Sequence, residues 1–138
     1  MDEREFIERF EACTLPEDCF HHLDHVRLAW LYLSSQPLVQ ALESVTTGLK
    51  RFATAAGKPD RYHETISWAY MFLIHERMQR TGRGLAWGRF KEANADLLAR
   101  DKGVLAKYYL PGTLSSDLAR RVFVLPDRLA GKGGLPDS

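Results

Sequence analysis

The stretch Cys19-Phe20-His21-His22-Leu23-Asp24-His25-Val26-Arg27-Leu28-Ala29-Trp30, CFHHLDHVRLAW, holds three of the chain's five histidines within five positions. Read as a helix, it brings residues three or four apart onto one face, with β-carbons about 5–6 Å apart. His22 and His25 are then neighbours, and so are His21 and His25. His22, Val26, Ala29 and Leu33 form one stripe, which turns His22 inward, leaves His25 at its edge and makes His21 the more exposed ring.

Outward from this helix the same periodicity continues. Asp2 is placed to cap a first helix whose apolar side is Phe6, Ile7 and Phe10. Thr14-Leu15-Pro16-Glu17 reads as a capping box with proline in the first turn, so the histidine helix is predicted to run from there to Ser34 or Ser35. Leu38, Leu42, Val45, Leu49 and Phe52 predict a third helix from near Pro37 to Gly57. A fourth spans roughly Tyr62 to Gln79 and carries His63 and His75. After the loop TGRGLAWG, in which Trp87 could anchor a lid, a fifth is predicted from about Arg89 to Arg100. A short one follows around Leu105 to Leu110, ending at Pro111, and SSDLARR supplies one more capped turn. Val122-Phe123-Val124-Leu125-Pro126 has strand composition but no partner strand, so it is expected to lie extended across the bundle. The expected fold is all-α, a single helical domain over residues 1–130 with five or six helices, an extended C-terminal segment and a flexible tail at 131–138.

At 138 residues the chain can bury a core without staples, and its formal charge of +1 argues against an extended nucleic-acid or anionic-membrane surface. Cys13 and Cys19 are too few and too close for a secreted disulfide framework and are read as small buried hydrophobes. No apolar run reaches the roughly 18–20 residues of a membrane span, and the acidic start MDEREFIERFE lacks a signal-peptide core, so the cytoplasm is the expected location. No nucleic acid or membrane partner is expected; a small-molecule ligand and a homodimer are compatible with the sequence.

The chemistry turns on whether His63-Glu64, in RYHETISW, converges on His22 and His25. Three imidazoles and a carboxylate from two helices suit a divalent metal such as zinc or iron, with His22, His25 and His63 as ligands and Glu64 as fourth ligand or general base. Asp24 could orient a ring from behind. The spacing is not HExxH, so no particular metal is specified. His75 lies three turns beyond His63, about 18 Å along the helix, too far to share the ion. Between Arg77 and Lys107 the chain is locally basic, a solvated face unless it borders the histidines, where it would favour an anionic molecule. Three readings follow: a metal-dependent enzyme acting on a small molecule, a non-catalytic metal or small-molecule binding protein, and a structural or interaction protein whose histidines are hydrogen-bonded in the core.

Three stretches resemble a family of uncharacterised small bacterial helical proteins: F-x-H-x-x-H-x-x-x-A-W at Phe20, His22, His25, Ala29 and Trp30; Y-H-x-T at Tyr62, His63 and Thr65; and A-R-x-x-F-x-x-P-D at Ala119, Arg120, Phe123, Pro126 and Asp127. The resemblance covers most of the chain. It implies that His22, His25 and His63 matter more than His21 or His75, and it implies no reaction.

Overall fold

A computed structural model describes residues 1–82, 84–101 and 103–128. The expected tail at 131–138 lies outside the described residues. The fold is all-α, and among the described residues there are seven α-helices and no strand.

Helix α1 (Glu3–Glu11) starts as predicted, with the Asp2 carboxylate accepting the Glu5 N–H at 2.8 Å. It buries Phe6 and Phe10, and the chain leaves it through Cys13 at φ 59, a left-handed position more often given to glycine. Helix α2 (His22–Ser35) begins eight residues later than the Thr14 box predicts, a correction with a local cause. Pro16 is extended at φ −62 and ψ 142, so no helix can propagate through it, and only a 3₁₀ turn forms at Glu17–Cys19. The effective stop is Asp24, whose carboxylate accepts the His21 N–H at 2.9 Å. His21 is therefore the exposed residue before the helix, and His22 its first residue. Cys19, expected to be buried, is exposed on the 3₁₀ turn, and Cys13 is only half-buried.

Helix α3 (Leu38–Ala55) ends where Gly57 takes φ +75, allowing the Lys58 N–H to reach back to the Ala53 carbonyl at 2.8 Å. A 3₁₀ turn at Pro59–Arg61 leads into α4 (Glu64–Thr81). The fifth helix is shorter than predicted: α5 (Trp87–Ala93) breaks at buried Asn94, whose amide donates to the Phe90 carbonyl at 3.0 Å while its carbonyl accepts from Arg77 at 3.1 Å. Side-chain bonding to the backbone thus replaces helix continuation. Two 3₁₀ turns, Ala95–Leu98 and Gly103–Lys107, follow. Pro111 opens a helix, α6 (Pro111–Leu114), where it was expected to end one, because a proline at the first helical position gives up an N–H that has no partner there anyway. Ser116 caps α7 (Asp117–Arg121) by accepting the Ala119 N–H at 3.1 Å.

Helices α2, α3 and α4 each pack on the other two, and α7 lies on α4. The core runs from Phe6 and Phe10 through Val26, Leu28 and Ile74 to Leu97, Leu105 and Tyr109. Beyond α7 the chain is extended, as predicted, and is held by side chains. Thr65 donates to the Val122 carbonyl at 2.8 Å and accepts the Val124 N–H at 3.0 Å, Tyr109 donates to the Val124 carbonyl at 2.7 Å, and Phe123 stacks on Trp68 with ring centroids 5.2 Å apart. No helix of the described residues is long and apolar enough to cross a membrane.

Two predictions arise from this packing. An alanine normally gains about 1 kcal/mol over glycine inside a helix. A Cβ at Gly48 of α3, however, would sit 2.5 Å from the ring of Phe10, which is 1% exposed and cannot withdraw. Gly48→Ala should therefore destabilise the protein, with overpacking costing about 1–3 kcal/mol, as a lowered urea midpoint would show. The second concerns Asp127, which accepts from the Thr113 hydroxyl and from the Leu110 N–H. These bonds, Thr113 first, hold its carboxyl below the usual carboxylate range. A depressed folded pKa stabilises the protein above the unfolded value of about 3.9 and loses that contribution as pH falls through the folded value. Asp127→Asn should lower the melting temperature at neutral pH, and the difference from wild type should vanish in strong acid.

Candidate functional site

The three mutually packed helices enclose a cavity of about 250 Å³. Its walls are apolar: Val26 and Ala29 from α2, Leu49 and Phe52 from α3, Ile66 and Ile74 from α4. His22, His25 and His63 all line it, so the sequence expectation that α2 and α4 lie side by side with these rings on one pocket agrees with the geometry. Tyr62, Ser67 and Tyr70 add hydroxyls, and the exposed side chains Glu17 and Arg61 line it where it meets solvent. Glu17 and Arg61 were missed from sequence. Glu17 was absorbed into a capping box that does not form, and Arg61 could have been noticed only as the charged neighbour of Tyr62-His63.

The three rings have different duties. His63 precedes α4 and caps it: Nδ1 accepts the Ile66 N–H at 3.1 Å, while Nε2 lies 2.7 Å from the Leu114 carbonyl. An amide N–H can only donate and a carbonyl can only accept, so Nδ1 is bare and Nε2 carries the hydrogen. Both nitrogens of this ring, 9% exposed, are thereby engaged in holding α4 and α6. His22 Nε2 lies 2.8 Å from the Leu97 carbonyl, and its ring meets Tyr70 edge-on with centroids 4.9 Å apart. His25, at the exposed rim, stacks on Phe20 at 4.0 Å and 24°.

The donor set does not fit the expected zinc or iron centre. His63 would have to give up its cap or its bond to Leu114 to present a lone pair. Among the described residues no three His, Cys, Asp or Glu side chains come together so as to hold a metal ion. Glu64, expected as ligand or base, accepts from the Tyr62 hydroxyl at 2.5 Å and pairs with Lys50 at 3.7 Å, and it is not one of the residues lining the cavity. Burial, and after it the bond to Glu64, pushes the Tyr62 hydroxyl well above its ordinary value, so Tyr62 stays a donor. Tyr70 is likewise pushed up, by burial first and then by Asp101 and Asp96. It is 7% exposed, and its hydroxyl has no hydrogen-bond partner among the described residues.

His75 lies away from this cavity, beside Trp30 and Met78, as expected. Among the described residues the basic segment does not border the histidines as a patch: Arg77 is tied to Asp96 by two bonds of 2.9 and 2.8 Å, and none of the segment's described cations lines the cavity. Trp87 packs on Trp30 at 5.5 Å as the first residue of α5.

His63→Ala removes a helix cap and leaves the half-buried Leu114 carbonyl without its donor, so it should cost about 1–3 kcal/mol of stability whether or not metal is present, while His21→Gln at an exposed position should cost under about 0.5 kcal/mol. Paired urea titrations in buffer and in chelator measure both, and a His63→Ala variant of unchanged stability would break the cap assignment. Comparison of the chain with protein-family models, curated proteins and solved structures finds no match, so the residues themselves carry the functional reading.

Proposed function

We propose that the protein binds a small organic molecule in the cavity between α2, α3 and α4, the non-catalytic binding reading of the histidine pocket without its metal. The observation that carries this is the cavity itself: a concave, partly open space between packed helices, with an aliphatic and aromatic wall and a set of histidine and hydroxyl groups along it, is the usual form of a ligand site. Its volume of about 250 Å³ falls just under the common range of roughly 300–1,000 Å³, which suits a compact metabolite and leaves no room for a dinucleotide. The buried, unpartnered Tyr70 hydroxyl supports the same reading, since such groups are rare in native interiors. The rings of His22 and His63, tethered to Leu97 and Leu114, are wall elements held in one orientation, an arrangement that limits the entropy lost on binding.

A fragment screen followed by amide chemical shifts tests this. Binders should perturb Ile66, Ser67 and His25 and raise the melting temperature, by linkage about 2.7 kcal/mol of added stability at a hundredfold excess over Kd. Ala53→Leu and Ala56→Leu, which fill the α3 wall, should abolish those shifts while the protein stays folded. Elemental analysis of untagged protein should find no stoichiometric metal. Shifts that survive both substitutions, or a screen with no binder, would remove the basis for the reading.

A further inference from the structure

We propose that the molecule taken up by this cavity is an anionic amphiphile, a small monocarboxylate with an apolar chain or ring, whose carboxylate replaces Glu17 between Lys58 and Arg61; this rests on the cavity being a binding site. The 3₁₀ turns Glu17–Cys19 and Pro59–Arg61 come together at the cavity opening through these side chains. Lys58 Nζ lies 3.1 Å and Arg61 Nη1 3.7 Å from the same oxygen of Glu17. The protein thus already places one carboxylate beside a guanidinium that lines the pocket with it, with Lys58, outside the lining, pairing with the same oxygen.

Three features make that carboxylate exchangeable. The ion-paired side chains are 45–64% exposed, so the pairs hold weakly in water. At 3.7 Å the Arg61 contact is an ion pair too long for a hydrogen bond, so Glu17 does not use the fork geometry with which a guanidinium grips a carboxylate. Glu17 also sits on a three-residue turn whose backbone is held mainly by its own local bonds, Cys19 N–H to Pro16 and Phe20 N–H to Glu17. Asp18 and Asp60 lie on the same two turns but do not line the cavity; among the described residues Glu17 is its one lining carboxylate. An ammonium ligand would meet Arg61 there and find Glu17 already paired.

The test uses hexanoate, hexanamide and hexylammonium as probes, with Kd read from the Ile66 and Ser67 amide shifts in wild type, Glu17→Gln and Arg61→Gln. Circular dichroism melts confirm that these exposed substitutions leave the fold intact. Hexanoate should bind wild type more tightly than either analogue. Glu17→Gln should tighten hexanoate about threefold and leave hexanamide within about twofold, and Arg61→Gln should weaken hexanoate alone, by about three- to fivefold. If hexanamide or hexylammonium binds as well as hexanoate and neither substitution discriminates between them, the anionic assignment falls while the cavity reading stands. If none of the three probes binds, the assignment falls, and a screen that also yields no binder takes the cavity reading with it.

Discussion

The hydroxyl of Thr65, fully buried on the first turn of α4, holds the extended segment after α7 to the helix bundle. It donates to the Val122 carbonyl and accepts the Val124 N–H, satisfying two backbone groups of an extended segment that has no strand to pair with. Two residues earlier, His63 does the same for the Leu114 carbonyl. Helices of four and five residues, as α6 and α7 are, do not persist alone in water. They stand because the N-terminus of α4 supplies fixed partners, because Tyr109 holds the Val124 carbonyl, and because Arg120 reaches the Asp60 carbonyl just before α4 begins. Beyond Pro111 the described chain is attached by side chains reaching backbone, by the stacking of Phe123 on Trp68 and by the Asp127 and Arg128 N–H groups donating to the Tyr108 carbonyl, not by a strand ladder.

Residues far apart in sequence meet at this attachment. His63 and Thr65 reach Leu114, Val122 and Val124, while Ala119 is buried, Phe123 stacks on Trp68, and Asp127 closes onto Leu110 and Thr113. Hydrogen-bond direction and ring packing account for what these side chains touch. In the same way Phe20 and His25 stack, Ala29 is buried where α2 meets its neighbours, and Trp30 packs on Trp87.

The helices were legible because their apolar residues repeat at three and four, and α3 and α4 fall within a few residues of where that repeat places them. The start of α2 was not, because a capping box is only a local preference and Pro16 sits extended, with Leu15 drawn into the core at 5% exposure. The break at Asn94 depends on Arg77, 17 positions earlier, and no local pattern reports it. For the site, helical spacing made His22 and His25 neighbours, and all three rings including His63 line one cavity, but spacing could not assign their nitrogens. A histidine before a helix is a rare cap beside serine, threonine or aspartate, so His63 looked like a ligand when its two nitrogens were already required by Ile66 and Leu114.

Two bonds, from His22 to Leu97 and from His63 to Leu114, give the cavity a link to the periphery. His22 and His63 each present a ring to the interior, and each ends on a carbonyl of the C-terminal half, Leu97 in the 3₁₀ turn after α5 and Leu114 at the end of α6. A carbonyl can only accept, so in both rings Nε2 keeps its hydrogen while the bond stands, and the face turned to the cavity is fixed with it. A molecule that packs against these rings therefore packs against the ties that hold the outer turns. Its binding free energy adds to the stability of those segments as well as to that of the cavity wall, because a ligand that requires the rings in place stabilises every contact on which their placement depends.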